Sequence, residues 1–155
     1  MIEVYNSELD LIIKDSENKQ IVLNKENLSV SLDWFEVNYP WEYEKSGILL
    51  EVKEYEKKLF YNFMMEQKHI LVINNDNFEL KEEILSFFGD VDILIIIASK
   101  ESAKIFENIE AKVVIPYWDL KDIFLTTLWQ NKQEEEIYKL KWEFALDATE
   151  FVNLK

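Results

Sequence analysis

The run Ile93-Leu94-Ile95-Ile96-Ile97 decides the fold class of this 155-residue chain. Five consecutive large aliphatic residues are typical of a strand that is buried on both faces. Two shorter apolar runs, His69–Ile73 and Lys112–Ile115, stand before and after it, and Pro116 is expected to stop the second. Because helix-like segments separate the three runs, the sequence predicts an α/β arrangement in which strands and helices alternate.

Capping patterns predict where the helices begin and end. Asp76 lies three residues before Glu79, which indicates an N-cap pair, and Gly89 is expected to end the helix that follows. Ser99 and Asp119 are expected to cap two later helices. The apolar residues at helical spacing are Leu80, Ile84, Leu85 and Phe88, then Ala103, Ile105 and Phe106, then Leu120, Ile123, Phe124 and Leu128.

The chain before His69 changes to the two-residue period of half-buried strands. Ile48–Tyr55 and Leu59–Met65 predict a hairpin around the polar turn Glu56-Lys57-Lys58. Shorter strands are predicted at Ile2–Tyr5, Leu9–Lys14, Ile21–Asn24 and Leu28–Trp34, and closing strands at Tyr138–Trp142 and Glu150–Leu154. We therefore expect an antiparallel N-terminal sheet followed by strand–helix units, in a single domain of residues 1–155.

The composition excludes several classes of site. The chain has 31 acidic residues against 17 basic ones, all lysine, and a formal net charge of −14, so we expect no nucleic-acid binding. Cysteine is absent, and with His69 as the one histidine a zinc site built from several histidines cannot exist in one chain. Two glycines, Gly47 and Gly89, cannot form a dinucleotide-binding or Walker loop.

The sequence contains no recognisable targeting or membrane segment. Met1–Tyr5 does not resemble the start of a signal peptide. The longest apolar run, Ile93–Ala98, is far shorter than the ~20 residues of a spanning helix. We therefore expect a cytoplasmic protein that does not bind membranes.

Five strings, in collinear order, resemble the small bacterial branch of zinc-dependent hydrolases in the metallo-β-lactamase family. The strings are Pro40-Trp41-Glu42-Tyr43-Glu44 before Gly47-Ile48, then His69–Asp76, Gly89–Ile96, Ala103–Pro116, and the closing strands Tyr138–Leu140 with Thr149–Leu154. They are similar to the family's Pro-Gly-Glu-Tyr-Glu element, its strand ending in His-x-Gly-Asp, its Gly-Asp-Val-Asp strand, the helix and strand before its last metal-binding histidine, and its final strands. The resemblance covers about Leu32 to the end and implies a metallo-β-lactamase-like α/β sandwich.

The departures from the family pattern concern the metal ligands. The family holds zinc with a His/Asp loop after the first strands, but here Asn24 leads almost directly into Leu28–Trp34, so the chain looks truncated. Ile73 stands at the histidine of the His-x-Gly-Asp element, Asn75 at its glycine, and Trp118 at the final histidine. Asp76 alone remains, and a lone carboxylate cannot hold zinc. The resemblance thus implies a lost metal site, no cofactor and no hydrolase activity.

Each candidate residue has a structural interpretation beside the functional one. We interpret Asp76 as a helix cap in preference to a remnant ligand, and Trp118 as filling the vacated metal pocket in preference to stacking on a ligand. We interpret His69 as structural or on the surface, in preference to a general base. Segment 40–44 is either a turn that packs Trp41 and Tyr43 on the core or a partner-binding loop. We interpret the acidic excess mainly as solvated surface, with a basic partner as the less favoured reading.

Two functions from different classes follow. The first is a non-catalytic interaction or assembly subunit, with Trp34, Tyr39, Trp41 and Tyr43 as a possible partner surface. The adjacent pairs Trp34/Phe35 and Phe60/Tyr61 point to opposite faces of their strands, so a second copy or another protein is expected to cover the second side. The alternative is a hydrolase with a rebuilt Mg²⁺ or Mn²⁺ site, made by Asp76 and Asp119 with Glu42 or Glu44. An acidic mimic of nucleic acid is disfavoured because the acidic residues are spread evenly.

Overall fold

The computed structural model describes residues 1–140, 144 and 148–155. Two sheets lie face to face, and the helices cover one of them. The strands are β1 (Glu3–Asn6), β2 (Asp10–Lys14), β3 (Gln20–Asn24), β4 (Val30–Leu32), β5 (Phe35–Glu36), β6 (Glu42–Lys45), β7 (Ile48–Tyr55), β8 (Lys58–Met65), β9 (Lys68–Ile73), β10 (Val91–Ile97), β11 (Ala111–Tyr117), β12 (Glu134–Glu135), β13 (Ile137–Lys139), β14 (Glu150–Phe151) and β15 (Asn153–Leu154). The helices are α1 (Glu82–Phe88), α2 (Lys100–Phe106) and α3 (Lys121–Thr127).

The first sheet, sheet A, has the order β13-β1-β2-β3-β4-β5 and is antiparallel throughout, as predicted. Alternate residues such as Val4, Leu11 and Ile21 are fully buried, because they face the second sheet. The other face carries Tyr5, Ile12 and Val22, which stand opposite one another across the strands. No helix in the described part of the chain packs on this outer face, so its side chains stay half-exposed.

The second sheet, sheet B, has the order β14-β11-β10-β9-β8-β7-β6. Strands β9, β10, β11 and β14 are parallel, whereas β6 to β9 are antiparallel. In β10, Ile93 and Ile95 belong to the core shared with sheet A, and Leu94 and Ile96 belong to the core under the helices. The two-sided burial predicted for the aliphatic run is therefore confirmed.

All three helices pack their buried residues on the outer face of sheet B. Ile84 and Phe88 of α1, Phe106 of α2 and Phe124 of α3 join the same core cluster. Each helix has seven residues, and within the described ranges no helix has the length and apolarity to cross a membrane. The molecule therefore has three layers in the order sheet A, sheet B and helices, with sheet B in the middle.

The capping predictions have different outcomes. Ser99 caps α2 as predicted: its hydroxyl accepts from the Ser102 N–H at 2.9 Å, and the Ser102 hydroxyl accepts from the Ser99 N–H at 2.8 Å. The Asp76 prediction is wrong, since α1 begins at Glu82 and its N-cap position is Lys81. The Asp119 prediction is also wrong, because the N-cap position of α3 is Leu120, with no side-chain cap.

A physical reason explains the late start of α1. Phe78 is buried against Phe60, with ring centroids 4.7 Å apart. This packing holds the segment before Glu82 in a non-helical conformation. Contacts on either side hold this path. The Asn74 side chain donates to the Leu28 carbonyl oxygen at 2.7 Å, and the Glu79 N–H donates to the Glu56 carboxylate at 3.3 Å. Tertiary packing thus overrides the local capping pattern.

Two further expectations about the strands are corrected. Strand β11 continues through Pro116 to Tyr117. Proline is tolerated at this position because β14 pairs only with Val113 and Val114, and in the described chain no strand pairs with Pro116 on the β14 side to accept a hydrogen bond from a backbone N–H. The strand predicted at Leu28–Trp34 is only Val30–Leu32, because Asp33 and Trp34 form a turn with φ of 43° and 76°. The predicted strand Tyr138–Trp142 begins as β13, and its residues 141 and 142 lie outside the described residues.

Neither adjacent aromatic pair, Trp34/Phe35 or Phe60/Tyr61, leaves a strand face that a partner must cover, contrary to expectation. Phe60 faces the helices and Tyr61 faces sheet A, so the chain itself buries both sides of β8. Trp34 lies in the turn before β5, where the two-residue alternation of a strand does not apply. The need for a second copy or partner therefore does not follow from these pairs.

Candidate functional site

The positions that the family resemblance assigns to the metal lie after the carboxyl ends of β9 and β11. Ile73, the last residue of β9, is fully buried, and Asp76 is half-buried three residues later. Trp118 follows β11 with φ of 80° and keeps 38% of its surface exposed. Trp118 is therefore only partly covered, and its role in filling the vacated pocket stays a prediction.

The residues at these positions do not fit zinc. Asp76 is the one charged oxygen ligand among them, and nowhere in the described ranges do three His, Asp or Glu side chains come together in a way that could hold a metal ion. The nearby Tyr117 is buried, and its hydroxyl has no hydrogen-bond partner among residues 1–140, 144 and 148–155. Burial raises the pKa of this hydroxyl far above the ordinary value. A phenol held neutral in this way offers no anionic ligand in place of the missing histidines.

The structure does not assemble the alternative carboxylate site. Strands β9 and β11 flank β10, so Asp76 and Asp119 follow strand ends that are roughly 10 Å apart. Glu42 and Glu44 lie on β6, at the far edge of the same sheet. The ladder places Glu44 level with His69 at the start of β9, the end opposite to Asp76. Neither Glu42 nor Glu44 can therefore complete a site with Asp76 and Asp119.

His69 is held in a structural network on the outer face of sheet B. Its Nε2 lies 2.6 Å from Asn62 Oδ1, and its Nδ1 contacts the Asp90 carbonyl oxygen. The Asn62 amide also donates to the Phe87 carbonyl oxygen at 2.7 Å, which ties β8 to α1. These contacts use both ring nitrogens, so the network supports the structural interpretation of this residue.

The aromatic residues singled out as a partner surface gather where the two sheets share an edge. We call Trp34, Phe35, Tyr39, Trp41 and Tyr43 the aromatic edge. The exposed fractions are 89% for Trp34, 74% for Tyr39 and 73% for Trp41. Tyr43 is half-buried and acts as a support, because its hydroxyl donates to the Tyr39 carbonyl oxygen at 2.9 Å.

Two contacts join the outermost strands of the sheets at this edge. The rings of Phe35 in β5 and Tyr43 in β6 have centroids 5.9 Å apart. The Ser46 hydroxyl donates to the Asp33 carboxylate at 2.6 Å, which links the turn before β5 to the turn after β6. The aromatic edge is therefore a corner of the sandwich to which both sheets contribute residues and at which side-chain contacts hold the two sheets together.

An open groove of about 980 Å³ begins beside Trp41 and runs between strands β6–β7 and helix α1. We call it the Trp41 groove. Its lining residues are Pro40, Trp41, Glu42, Glu51, Val52, Lys53, Glu54, Glu83, Ser86 and Phe87. Three of the lining carboxylates, those of Glu42, Glu51 and Glu83, lie on the helix side of sheet B. The one ammonium group among the lining residues, that of Lys53, lies 3.2 Å from the Glu83 carboxylate. The groove therefore combines apolar walls with an excess of negative charge.

Sequence reasoning missed most of this groove. Trp41 was singled out, but Glu51, Glu83 and Phe87 were not, since they come from β7 and α1. Glu51 and Lys53 alternate with buried Leu50 and Val52, so their exposure could have been predicted. Their proximity to Glu42 and α1 depends on strand register and helix placement, which no local pattern encodes.

Comparison with known proteins identifies a structural relative but no close one in sequence. Neither the models of protein families nor the curated proteins gave a match. The structure is similar to the crystal structure of a candidate Zn-dependent hydrolase of the metallo-β-lactamase superfamily from Thermotoga maritima, with a TM-score of 0.74 and 18% sequence identity. The match covers 99% of each chain and gives no sign of a missing half relative to this neighbour. The chain therefore has the metallo-β-lactamase fold, with an antiparallel sheet packed on a mixed sheet.

Proposed function

We propose that this protein is a non-catalytic interaction or assembly subunit that binds another protein through its aromatic edge. The observation that carries the proposal is the exposure of Trp34, Tyr39 and Trp41 at one corner of the sandwich. Tryptophan and tyrosine dominate the binding energy of protein interfaces, because each buries a large apolar area and keeps a polar atom for hydrogen bonding.

The backbone at Trp34 supports the same proposal. Asp33 and Trp34 occupy the two central positions of the β4–β5 turn with positive φ, where glycine and asparagine are favoured. A tryptophan here strains the turn and exposes its ring to water. A partner that buries the indole would offset both costs.

We propose a non-catalytic role because the positions that the family resemblance assigns to the metal lack metal-binding side chains. Ile73 and Trp118 offer no metal ligand, and the register keeps Glu42 and Glu44 away from Asp76 and Asp119. The described part of the chain therefore has no group of three ligands for the zinc that generates hydroxide in such hydrolases. The proposal also includes the cytoplasmic location and the single domain expected from the sequence.

Substitution of the aromatic edge tests the proposal. Tagged wild-type protein, a Trp34→Ser/Trp41→Ser variant and a Trp129→Ser control would each be used to recover partners from cells that express the protein. Trp129 is a matched control, because it is 93% exposed and also has positive φ, but lies after α3. We expect the control to recover the same partner as wild type and the double variant to lose it. Equal recovery by all three proteins would contradict the proposal.

Sedimentation at low and high salt distinguishes a partner protein from a second copy. With a net charge of −14, two copies repel one another, so a homodimer should tighten as salt screens the charge. A complex with a basic partner should weaken instead. A monomer at high protein concentration, with no partner recovered from cells, would contradict both forms of the proposal.

A further inference from the structure

We propose that the Trp41 groove and the adjoining strand β6 bind an extended segment of a partner protein that has lysine or arginine at alternate positions. This inference rests on the proposed function and adds the chemistry of the partner. It is carried by the charges of the groove, its aromatic wall and the position of β6 in sheet B.

The first observation is a pair of like charges that face each other. Glu42 on β6 and Glu51 on β7 are direct partners in the ladder, so their side chains point to the same face. Both are exposed, and neither makes an ion pair in the described chain. Like charges directly opposite each other destabilise a sheet. A bound cation between them would replace this repulsion with attraction.

The second observation is that the rest of the groove leaves the negative charge in excess. Glu83 adds a third carboxylate, and Lys53, which pairs with Glu83 at 3.2 Å, leaves the charges of Glu42 and Glu51 without a cation. Pro40, Trp41 and Phe87 give the groove apolar wall residues beside these carboxylates, where the alkyl stem of an incoming basic side chain can pack. The groove therefore selects positively charged side chains.

The third observation is the aromatic wall. The Trp41 carbonyl oxygen accepts from the Val52 N–H at 2.9 Å, which fixes the backbone of residue 41 against β7. Trp41 is 73% exposed and lines the groove together with Phe87 of α1. An ammonium or guanidinium group over an indole face gains cation–π attraction, and the alkyl stem of the side chain packs on the apolar wall.

The fourth observation is that β6 is the outermost strand of sheet B, so an extended segment can add beside it. A residue added opposite Glu42 would point to the same face as Glu42 and Glu51, and one added two residues away would stand opposite Glu44. Basic residues at alternate positions therefore meet both carboxylates, whereas basic residues in one cluster do not.

Peptide binding to the full chain tests this proposal. The probe is a synthetic peptide of about seven residues that alternates arginine and valine. The comparison peptide has the same composition with its arginines together. We expect the alternating peptide to bind more tightly, to raise the melting temperature of the protein, and to bind more weakly as salt rises. Equal binding of both peptides would overturn the strand-addition geometry.

A matched pair of variants tests the site. Glu42→Gln/Glu51→Gln should raise the dissociation constant of the alternating peptide by about tenfold, because two exposed charge pairs with the peptide are lost. The control Glu26→Gln/Glu107→Gln removes the same charge from exposed positions elsewhere and should leave binding nearly unchanged. Equal weakening by both variants would show unspecific attraction to an acidic protein and would overturn the proposal. Thermal melting of both variants verifies that they fold.

Two further outcomes are decisive. Displacement of the peptide by an equal concentration of a free polyamine would assign the groove to small cations and overturn the peptide proposal. If partner recovery from cells depends on Trp34 and Trp41 but no basic peptide binds, the interaction function stands and the partner chemistry proposed here is wrong. Peptide binding without any partner in cells would instead contradict the proposed function.

Discussion

The Glu66 carboxylate accepts hydrogen bonds from both the backbone N–H and the hydroxyl of Ser16, although fifty residues separate the two in the sequence. The N–H to Oε1 distance is 3.2 Å, and the N-terminal ammonium lies 3.3 Å from the same carboxylate. Glu66 lies in the turn between β8 and β9, and Ser16 in the turn between β2 and β3. One side chain thus joins the ends of two hairpins from different sheets.

This contact predicts how stability depends on pH. Burial alone would raise the pKa of Glu66, but the hydrogen bonds from Ser16 and the N-terminal ammonium outweigh burial and lower it below the ordinary 4.5. A carboxyl whose pKa is lower in the folded state stabilises the fold above its unfolded pKa, and this stabilisation is lost as pH falls through the folded pKa. We expect Glu66→Gln to lower the free energy of unfolding at neutral pH and to flatten its fall below about pH 4.5.

Urea unfolding between about pH 3 and about pH 6 measures this effect. Glu17→Gln is the matched control, because Glu17 is an exposed carboxylate in the same turn as Ser16 and accepts no hydrogen bond in the described structure. A Glu66→Gln protein with the wild-type pH profile would contradict the role assigned to this contact.

The capping box of α2 predicts a loss of stability at Ser99. Ser99→Ala should lower the free energy of unfolding by about 0.5–2 kcal/mol, because the Ser102 N–H loses its acceptor in a buried place. Asp76→Ala should cost less than about 0.5 kcal/mol, because Asp76 caps no helix. Chemical denaturation of both variants measures the difference, and an Asp76 variant as unstable as the Ser99 variant would refute it.

Trp34→Gly should separate stability from binding. A left-handed backbone costs a non-glycine residue about 1–2 kcal/mol, whereas glycine adds an entropic cost of roughly 0.5–1 kcal/mol. We therefore expect the free energy of unfolding to stay level or rise by up to about 1.5 kcal/mol, while partner recovery falls.

Gln67→Gly is the control for this variant. Gln67 has φ of 63° in the turn between β8 and β9, and it lies outside the aromatic edge. We expect it to change stability in the same direction and to leave partner recovery intact. Partner loss in both variants would point to altered folding as the cause.

Zinc should not stabilise the protein. Ile73 and Trp118 offer no ligand, and Asp76 alone binds zinc weakly. We expect the melting temperature to be unchanged by added zinc, and elemental analysis after dialysis to find far less than one ion per chain. About one zinc ion retained per chain would contradict the lost metal site.

The sequence predicted those parts of the fold that depend on local pattern. The aliphatic run at Ile93–Ile97 and the hairpin at Ile48–Met65 were predicted from period and burial, and both are confirmed. The Ser99 cap was also predicted correctly because both partners of its hydrogen bonds lie within one turn of helix.

The errors arose where distant residues decide the local structure. Asp76 has a local capping pattern, but packing of Phe78 on Phe60 keeps the segment out of the helix. Of the four aromatic residues proposed as a partner surface, Trp34, Tyr39 and Trp41 are exposed, whereas Tyr43 is half-buried and supports Tyr39; their role in binding stays a prediction. The Trp41 groove could not be predicted, because the pairing of Glu42 with Glu51 follows from strand register.

The order of the layers predicts different dynamic behaviour for the two sheets. Sheet B has a core on both faces, so the amides of β10 should exchange with solvent deuterium only when the whole molecule unfolds. Sheet A is buried on one face, and its outer row of Tyr5, Ile12 and Val22 lies against solvent. Its strands should therefore exchange through a smaller, lower-energy opening in which the central sheet and helices stay folded, so that sheet A forms a separate cooperative unit of the protein.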